Sequence, residues 1–153
     1  MRTYSEPELT QLAIELASEI RAIEGDAPRV VFQGPMGVGK STFARALLEE
    51  LGVHREAEGS PTFAIAHEYR GADGQRIVHA DGYRLKSEAE LEATGLLETL
   101  WDPEVIVLFE WLDLFSETEA SLRRSDLPTV WIRFEFDSAD QNRRKIEVIW
   151  TKT

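Results

Sequence analysis

The sequence predicts an α/β layered domain with a mainly parallel central sheet and antiparallel additions. Three observations carry that prediction. Residues 30–32 are a short apolar run leading through a glycine-rich turn into an amphipathic stretch, so strand, loop and helix follow one another early. Residues 105–109 are all apolar and lie between Pro103 and Glu110, the length of a strand buried on both faces. Strand-like and helix-like patterns then mix along the remaining chain, which is how layered α/β domains are built. With 153 residues the chain reads as one domain, 1–153, able to bury roughly two-thirds of its unfolded surface.

Each element has its own warrant. Ser5 and Glu8 stand at capping-box spacing and Pro7 suits a first helical turn. Leu9, Leu12, Ala13, Leu16, Ala17, Ile20 and Ile23 then recur at helical steps, predicting a helix that ends near Gly25. After the loop, Phe43, Ala44, Leu47, Leu48 and Leu51 share one helix face and Gly52 stops it. Residues 63–69 and 76–79 read as a hairpin around Gly71-Ala72-Asp73-Gly74. Ser87 and Glu90 repeat the capping spacing and open a helix through Leu91. Residues 130–136 and 145–150 alternate like two late strands. Residues 112–128 are polar and carry the weakest pattern.

Composition excludes several functions. The apolar share of 42% and charged share of 29% match ordinary soluble domains. There is no cysteine, hence no disulfide, thiolate metal site or cysteine nucleophile. The net charge is −11, whereas nucleic-acid binding leaves a basic footprint. Only Arg123-Arg124 and Arg143-Arg144-Lys145 form basic clusters, so action on nucleic acid through a partner is the form left open. No apolar signal segment or membrane-length apolar run is present; the expectation is a soluble cytoplasmic protein with no membrane partner.

Gly34-Pro35-Met36-Gly37-Val38-Gly39-Lys40-Ser41 fits the phosphate-loop pattern G-x-x-x-x-G-K-[ST] at every fixed position. Glycines let the backbone approach phosphates and turn successive N–H groups inward. The helix opening near Lys40 adds its positive end. Lys40 offers a charge to the outer phosphates and Ser41 a hydroxyl to Mg²⁺. The strand before and the helix after meet the contextual test for a nucleoside triphosphate loop.

Other polar residues stand at strand ends. Glu110 follows the run 105–109, where P-loop proteins place an acid that reaches Mg²⁺; an ordinary solvent-facing acid is the competing reading. Asp81 ends another predicted strand and can help hold Mg²⁺ or orient water. His79 lies two residues back on the same face; alone it reads as a structural histidine. A histidine–aspartate metal site lacks a third ligand. Thr62, in Ser60-Pro61-Thr62-Phe63, is either a hydroxyl sensing metal and γ-phosphate or simply part of a turn before a strand.

Taken in order, the glycine loop, Ser60-Pro61-Thr62-Phe63, the His79, Asp81, Tyr83, Arg84, Leu85 block and Glu110-Trp111 resemble the bacterial TsaE family, formerly YjeE. The resemblance runs over essentially the whole chain and implies a P-loop NTPase-type three-layer domain binding ATP and Mg²⁺. It implies phosphate-loop contacts from Gly34 through Thr42, metal ligands at Ser41 and Glu110, and catalytic roles for Lys40, Asp81, Glu110 and Thr62. It further places Thr10 of the first helix and Arg143 near the last strand against nucleotide, with Leu9 and Arg144 as the neighbouring choices. The family acts with the TsaB–TsaD pair in making threonylcarbamoyladenosine at position 37 of tRNA, reaching the tRNA only through that complex. Gly82 departs from the family's usual apolar residue, an expectation of a looser segment around Asp81.

Two other readings use the same loop. A small-molecule or nucleotide kinase needs an acceptor site and an arginine-rich lid, for which only Arg123-Arg124 qualifies. A nucleotide-dependent binding module would need no hydrolysis.

Overall fold

The computed structural model describes residues 1–53 and 65–151. The Ser60–Phe63 block, with the expectation for Thr62, lies outside the described residues. In chain order the elements are β1 (Arg2–Tyr4), α1 (Glu6–Ala22), β2 (Arg29–Gln33), α2 (Lys40–Glu50), β3 (Ala66–Arg70), β4 (Arg76–Asp81), α3 (Glu88–Ala93), α4 (Leu96–Leu100), β5 (Ile106–Glu110), a 3-10 turn (Leu112–Leu114), α5 (Ser116–Arg124), β6 (Thr129–Phe136) and β7 (Arg144–Thr151).

The strands form one seven-stranded sheet in the order β1-β7-β6-β2-β5-β4-β3. The central strands β6, β2, β5 and β4 run parallel. Antiparallel pairs complete both edges, β1–β7–β6 on one side and β4–β3 on the other. The alternation of strand side chains divides the core into two layers. Val30, Phe32, Leu108 and Ile132 face α1 and α2. Val31, Val107, Phe109 and Trp131 face α3, α4, the 3-10 turn and α5. The result is the helix–sheet–helix sandwich expected from the sequence.

Several boundaries differ from expectation. Strand β4 runs two residues past 79 to Asp81, which ends it as expected, and β5 includes Glu110, which is the last residue of its strand and not the residue after it. Helix α1 stops at Ala22, short of Gly25. Strand β1, α4 and α5 were not predicted. Of the nine residues of α5 only Thr118 and Leu122 are buried, which leaves little periodicity to read. Its first turn is instead held by Glu88, which accepts from the Glu117 amide at 2.9 Å and the Thr118 hydroxyl at 2.7 Å. The caps at Ser5 and Ser87 lie where expected. Glu8 accepts from Ser5 N–H at 3.2 Å, and Ser87 Oγ accepts from Glu90 N–H at 3.1 Å.

Candidate functional site

The site is built where β2, β4 and β5 end beside the start of α2. Parallel register sets Glu110 beside Phe32 on one side and Asp81 on the other. The end of β2 leads directly into the glycine loop, so loop and carboxylates share one edge, the edge where open α/β sheets bind ligands. Gly34 has φ of +145°, and a Cβ there would lie 2.6 Å from the Phe134 carbonyl oxygen of β6; only glycine passes that close. Gly39, at φ +110°, supplies the left-handed residue ahead of α2.

Lys40 opens α2 and is buried. Its ammonium donates to the Gly34 carbonyl and lies 3.3 Å from the centre of the Trp111 ring, a cation–π contact. Burial lowers the Lys40 pKa, while Glu110, Asp113 and Asp81 pull it back upward. Trp111 adopts φ of +68°, the one non-glycine residue with positive φ among the described residues. That left-handed turn costs roughly 1–2 kcal/mol. It lays the indole against Lys40 and 5.0 Å from the Tyr83 ring.

Glu110 is 2% exposed. Its Oε1 accepts from the Ser41 hydroxyl at 2.7 Å, and its Oε2 lies 2.6 Å from His79 Nε2. Burial pushes its pKa up, but the His79 and Ser41 hydrogen bonds and the His79 and Lys40 charges outweigh burial and hold it below the ordinary value of 4.5. Asp81 is exposed, and its Oδ1 accepts from the Tyr83 amide at 3.0 Å. Gly82 leaves no slack there: a Cβ would meet the Phe115 ring at 2.7 Å, so an aromatic from a neighbouring segment fills the space and the expected loosening does not follow.

Two cavities flank the loop. One of about 270 Å³ is lined by Met36, Gly37, Gly39, Lys40, Ser41, Thr42, Asp81, Tyr83, Glu110 and Trp111. The other, of about 430 Å³, shares Gly37, Gly39 and Thr42 and adds Tyr4, Leu9, Thr10, Val38, Gln141, Asn142 and Arg144. The pair therefore offers one smaller and one larger compartment on either side of the loop.

Most of the sequence-predicted residues are brought together here. Pro35 accepts from the Val38 amide within the loop. Thr10 and Leu9 both line the larger cavity, so the helix offers both. Arg143 is placed otherwise. Its guanidinium turns away to Glu8 at 3.1 Å and the Thr3 carbonyl at 3.4 Å. Arg144, the first residue of β7, lines the cavity instead, and its Nε donates to the Val38 carbonyl of the loop at 3.0 Å. Arg143 lies in the turn before β7 and Arg144 opens the strand, and spacing alone does not say which one faces the loop. Sequence reasoning also left out Tyr4, Gln141 and Asn142. Tyr4 belongs to the unpredicted β1, and the two amides precede β7 without a motif.

The donor set at Ser41 and Glu110 suits a hard divalent cation. A hydroxyl and an ionised carboxylate stand within one hydrogen bond of each other beside the loop, with space for phosphate and water to complete the shell. Among the described residues no group of three or more His, Asp or Glu side chains makes a self-contained metal site. Of the histidine–aspartate pair, His79 is turned to Glu110 and Asp81 to the Tyr83 amide.

The chain is similar to several known proteins. A Streptomyces coelicolor tRNA threonylcarbamoyladenosine biosynthesis protein TsaE is 41% identical over 105 residues, covering 67% of this chain and 66% of that protein. The Haemophilus influenzae protein of the same name is 38% identical over 82 residues, and the match spans half of its length. The Bacillus subtilis one is 36% identical over 112 residues, covering 72% of this chain and 65% of its own. In structure, Bacillus subtilis YdiB superposes with a TM-score of 0.65 at 24% identity, covering 99% of this chain and 84% of that chain, a likeness of fold. A family model described as Threonylcarbamoyl adenosine biosynthesis protein TsaE matches residues 3–146, nearly the whole chain, and the chain belongs to the TsaE family.

Proposed function

We propose that this chain is a Mg²⁺-dependent ATPase that serves tRNA threonylcarbamoyladenosine biosynthesis, acting as one cytoplasmic domain on the TsaB–TsaD pair and touching tRNA only through it. The observation that carries the ATPase reading is the Ser41–Glu110 pair, 2.7 Å apart at the mouth of the phosphate loop. Ser41 and Glu110 would hold Mg²⁺ there, and the ion would supply neutralisation of phosphate charge.

The chain's own residues have separable tasks in this reading. Gly34 through Thr42 cradle the phosphates with backbone N–H groups. Lys40 exchanges the Gly34 carbonyl and the Trp111 face, neither of which carries a full negative charge, for phosphate oxygens. Ser41 and Glu110 hold the metal. Asp81, at the exposed edge of the same cavity, orients the attacking water, and Thr62 belongs to the same machinery by family resemblance. Thr10 and Arg144 flank the larger compartment, where the nucleoside fits; Arg143 braces the wall through Glu8. The adenine preference, the partners and the tRNA position rest on family membership.

The kinase reading draws less support. Its lid candidate is committed elsewhere: Arg123 pairs with Glu119 at 3.0 Å and stacks 3.8 Å from the Trp131 ring. The test is Mg-ATP hydrolysis by the chain alone and then with purified TsaB–TsaD. Weak phosphate release that rises on mixing, without any acceptor, and that Lys40→Ala abolishes is the expected result. Strong hydrolysis indifferent to the pair would return the choice to the kinase.

A further inference from the structure

Glu110 is held from two sides by unlike groups. Ser41 donates to Oε1 through a hydroxyl at the first turn of α2, which a cation can draw away. His79 occupies Oε2 at 2.6 Å from the middle of the sheet, with only 15% of its side chain exposed. An ionised carboxylate accepts only, so in this contact His79 Nε2 is the donor and Glu110 Oε2 the acceptor.

Strand parity explains why the histidine is there. On β4, Val78 and Ala80 face the layer of α3 to α5, while Ile77 faces α1 and α2. His79 and Asp81 alternate with Val78 and Ala80, so they project toward α2. On β5, Val107 and Phe109 face away and Leu108 faces α2, which puts Glu110 on the same side. His79 is paired with Leu108 in the ladder, one strand period behind Glu110, and reaches forward along that face to Oε2.

We propose that His79 is a positioning residue for the metal site: it pins Oε2 of Glu110 and so presents Oε1 to the divalent cation at Ser41. The inference rests on the metal reading of Ser41 and Glu110 given above. Outer partners of this kind orient a carboxylate ligand and typically change metal affinity by about 10–100-fold when removed. A histidine that merely fills space would not behave so. Its removal would lower stability and leave the cation affinity of the folded protein alone.

The test reads metal and nucleotide separately. Mn²⁺ is titrated into the full chain holding a saturating non-hydrolysable ATP analogue and followed by electron paramagnetic resonance. Analogue binding without metal, in EDTA, is followed by calorimetry. His79→Leu keeps the bulk and removes the donor; His79→Gln keeps an N–H donor at similar reach. The expected result is Mn²⁺ affinity weakened at least about tenfold in His79→Leu, metal-free nucleotide affinity within twofold of the parent, and most of the loss restored in His79→Gln. Unchanged Mn²⁺ affinity in His79→Leu would overturn the assignment. So would an equal loss of metal-free nucleotide binding, or a His79→Gln variant as weak as His79→Leu. A parent chain that takes up no nucleotide at all shows a different failure, because the loop reading itself then falls and carries this inference with it.

Discussion

The two ends of β2 each bury a positive charge, and they treat it in opposite ways. At the N-terminal end Arg29 is 0% exposed. Its guanidinium donates to the carbonyls of Leu100 at 2.8 Å and Asp102 at 2.9 Å, and to that of Val105. Burial lowers its pKa to about 10, with Asp102 and Asp26 pulling the other way. At the C-terminal end Lys40 is nearly as buried, but its partners are one carbonyl and an indole face, beside an open cavity. The Arg29 fork closes backbone acceptors left by the end of α4 and the turn into β5, and Arg29 is not among the residues lining the cavity of about 480 Å³ beside Ala27 and Pro28. The Lys40 ammonium keeps exchangeable partners. Burial of charge alone does not mark a functional site; what the charge can trade its partners for does.

The largest expected effect breaks the closed end. Arg29→Met orphans three carbonyls, each costing roughly 1–3 kcal/mol when buried without a donor, partly offset by relief of charge burial. A loss of about 3 kcal/mol in urea unfolding is expected, with nucleotide affinity of the folded protein unchanged. A stable variant would mean the fork is dispensable and the contrast between the ends is overdrawn.

Lys40→Ala probes the open end. Stability should change little, because the cost of burying the ammonium offsets what its carbonyl and indole partners return. Mg-ATP affinity should fall by about 2–3 kcal/mol, the worth of a charge-assisted contact, or roughly 30–150-fold by calorimetry. Unchanged affinity would refute the phosphate-loop reading outright.

Asp81→Asn sharpens the division within the open end. Nucleotide binding should persist, while partner-stimulated hydrolysis falls about tenfold, near 1.4 kcal/mol in barrier. Undiminished stimulation would make Asp81 a structural turn residue, as its bond to the Tyr83 amide already allows.

The smallest effect concerns the wall of the larger cavity. Hydrogen bonds from the Ser5 side chain and backbone hold the exposed Glu8 below its ordinary 4.5, with Arg143 adding to them against a slight burial effect. A depressed carboxylate stabilises the fold above its unfolded value, and that contribution is lost as pH falls through its folded value. Below pH 4.5 the melting temperature of the parent should therefore drop slightly more steeply than that of Glu8→Gln. Parallel acid limbs would show that the cap contributes nothing measurable.

Much of this was legible because it is local. The loop needs particular residues at consecutive positions, and the strand before and helix after announce themselves by period. The caps at Ser5 and Ser87 are four-residue patterns. By contrast, α5 has an apolar face too thin to read and a first turn held by Glu88 from another helix. The choice between Arg143 and Arg144 depended on where β7 begins and which side each residue takes. The burial of Gly82 against Phe115 depended on a segment far along the chain.

The sequence by itself determined the α/β alternation, the phosphate loop with Lys40 and Ser41, and the presence of acids at two strand ends, since each follows from residue type and spacing within a few positions. Tertiary structure alone decided that Glu110 meets both Ser41 and His79, that Trp111 turns left-handed onto Lys40, and that Arg144 faces the loop. Those contacts join residues on different strands and helices. Parallel register and strand parity set them, and neither quantity exists until the sheet is assembled.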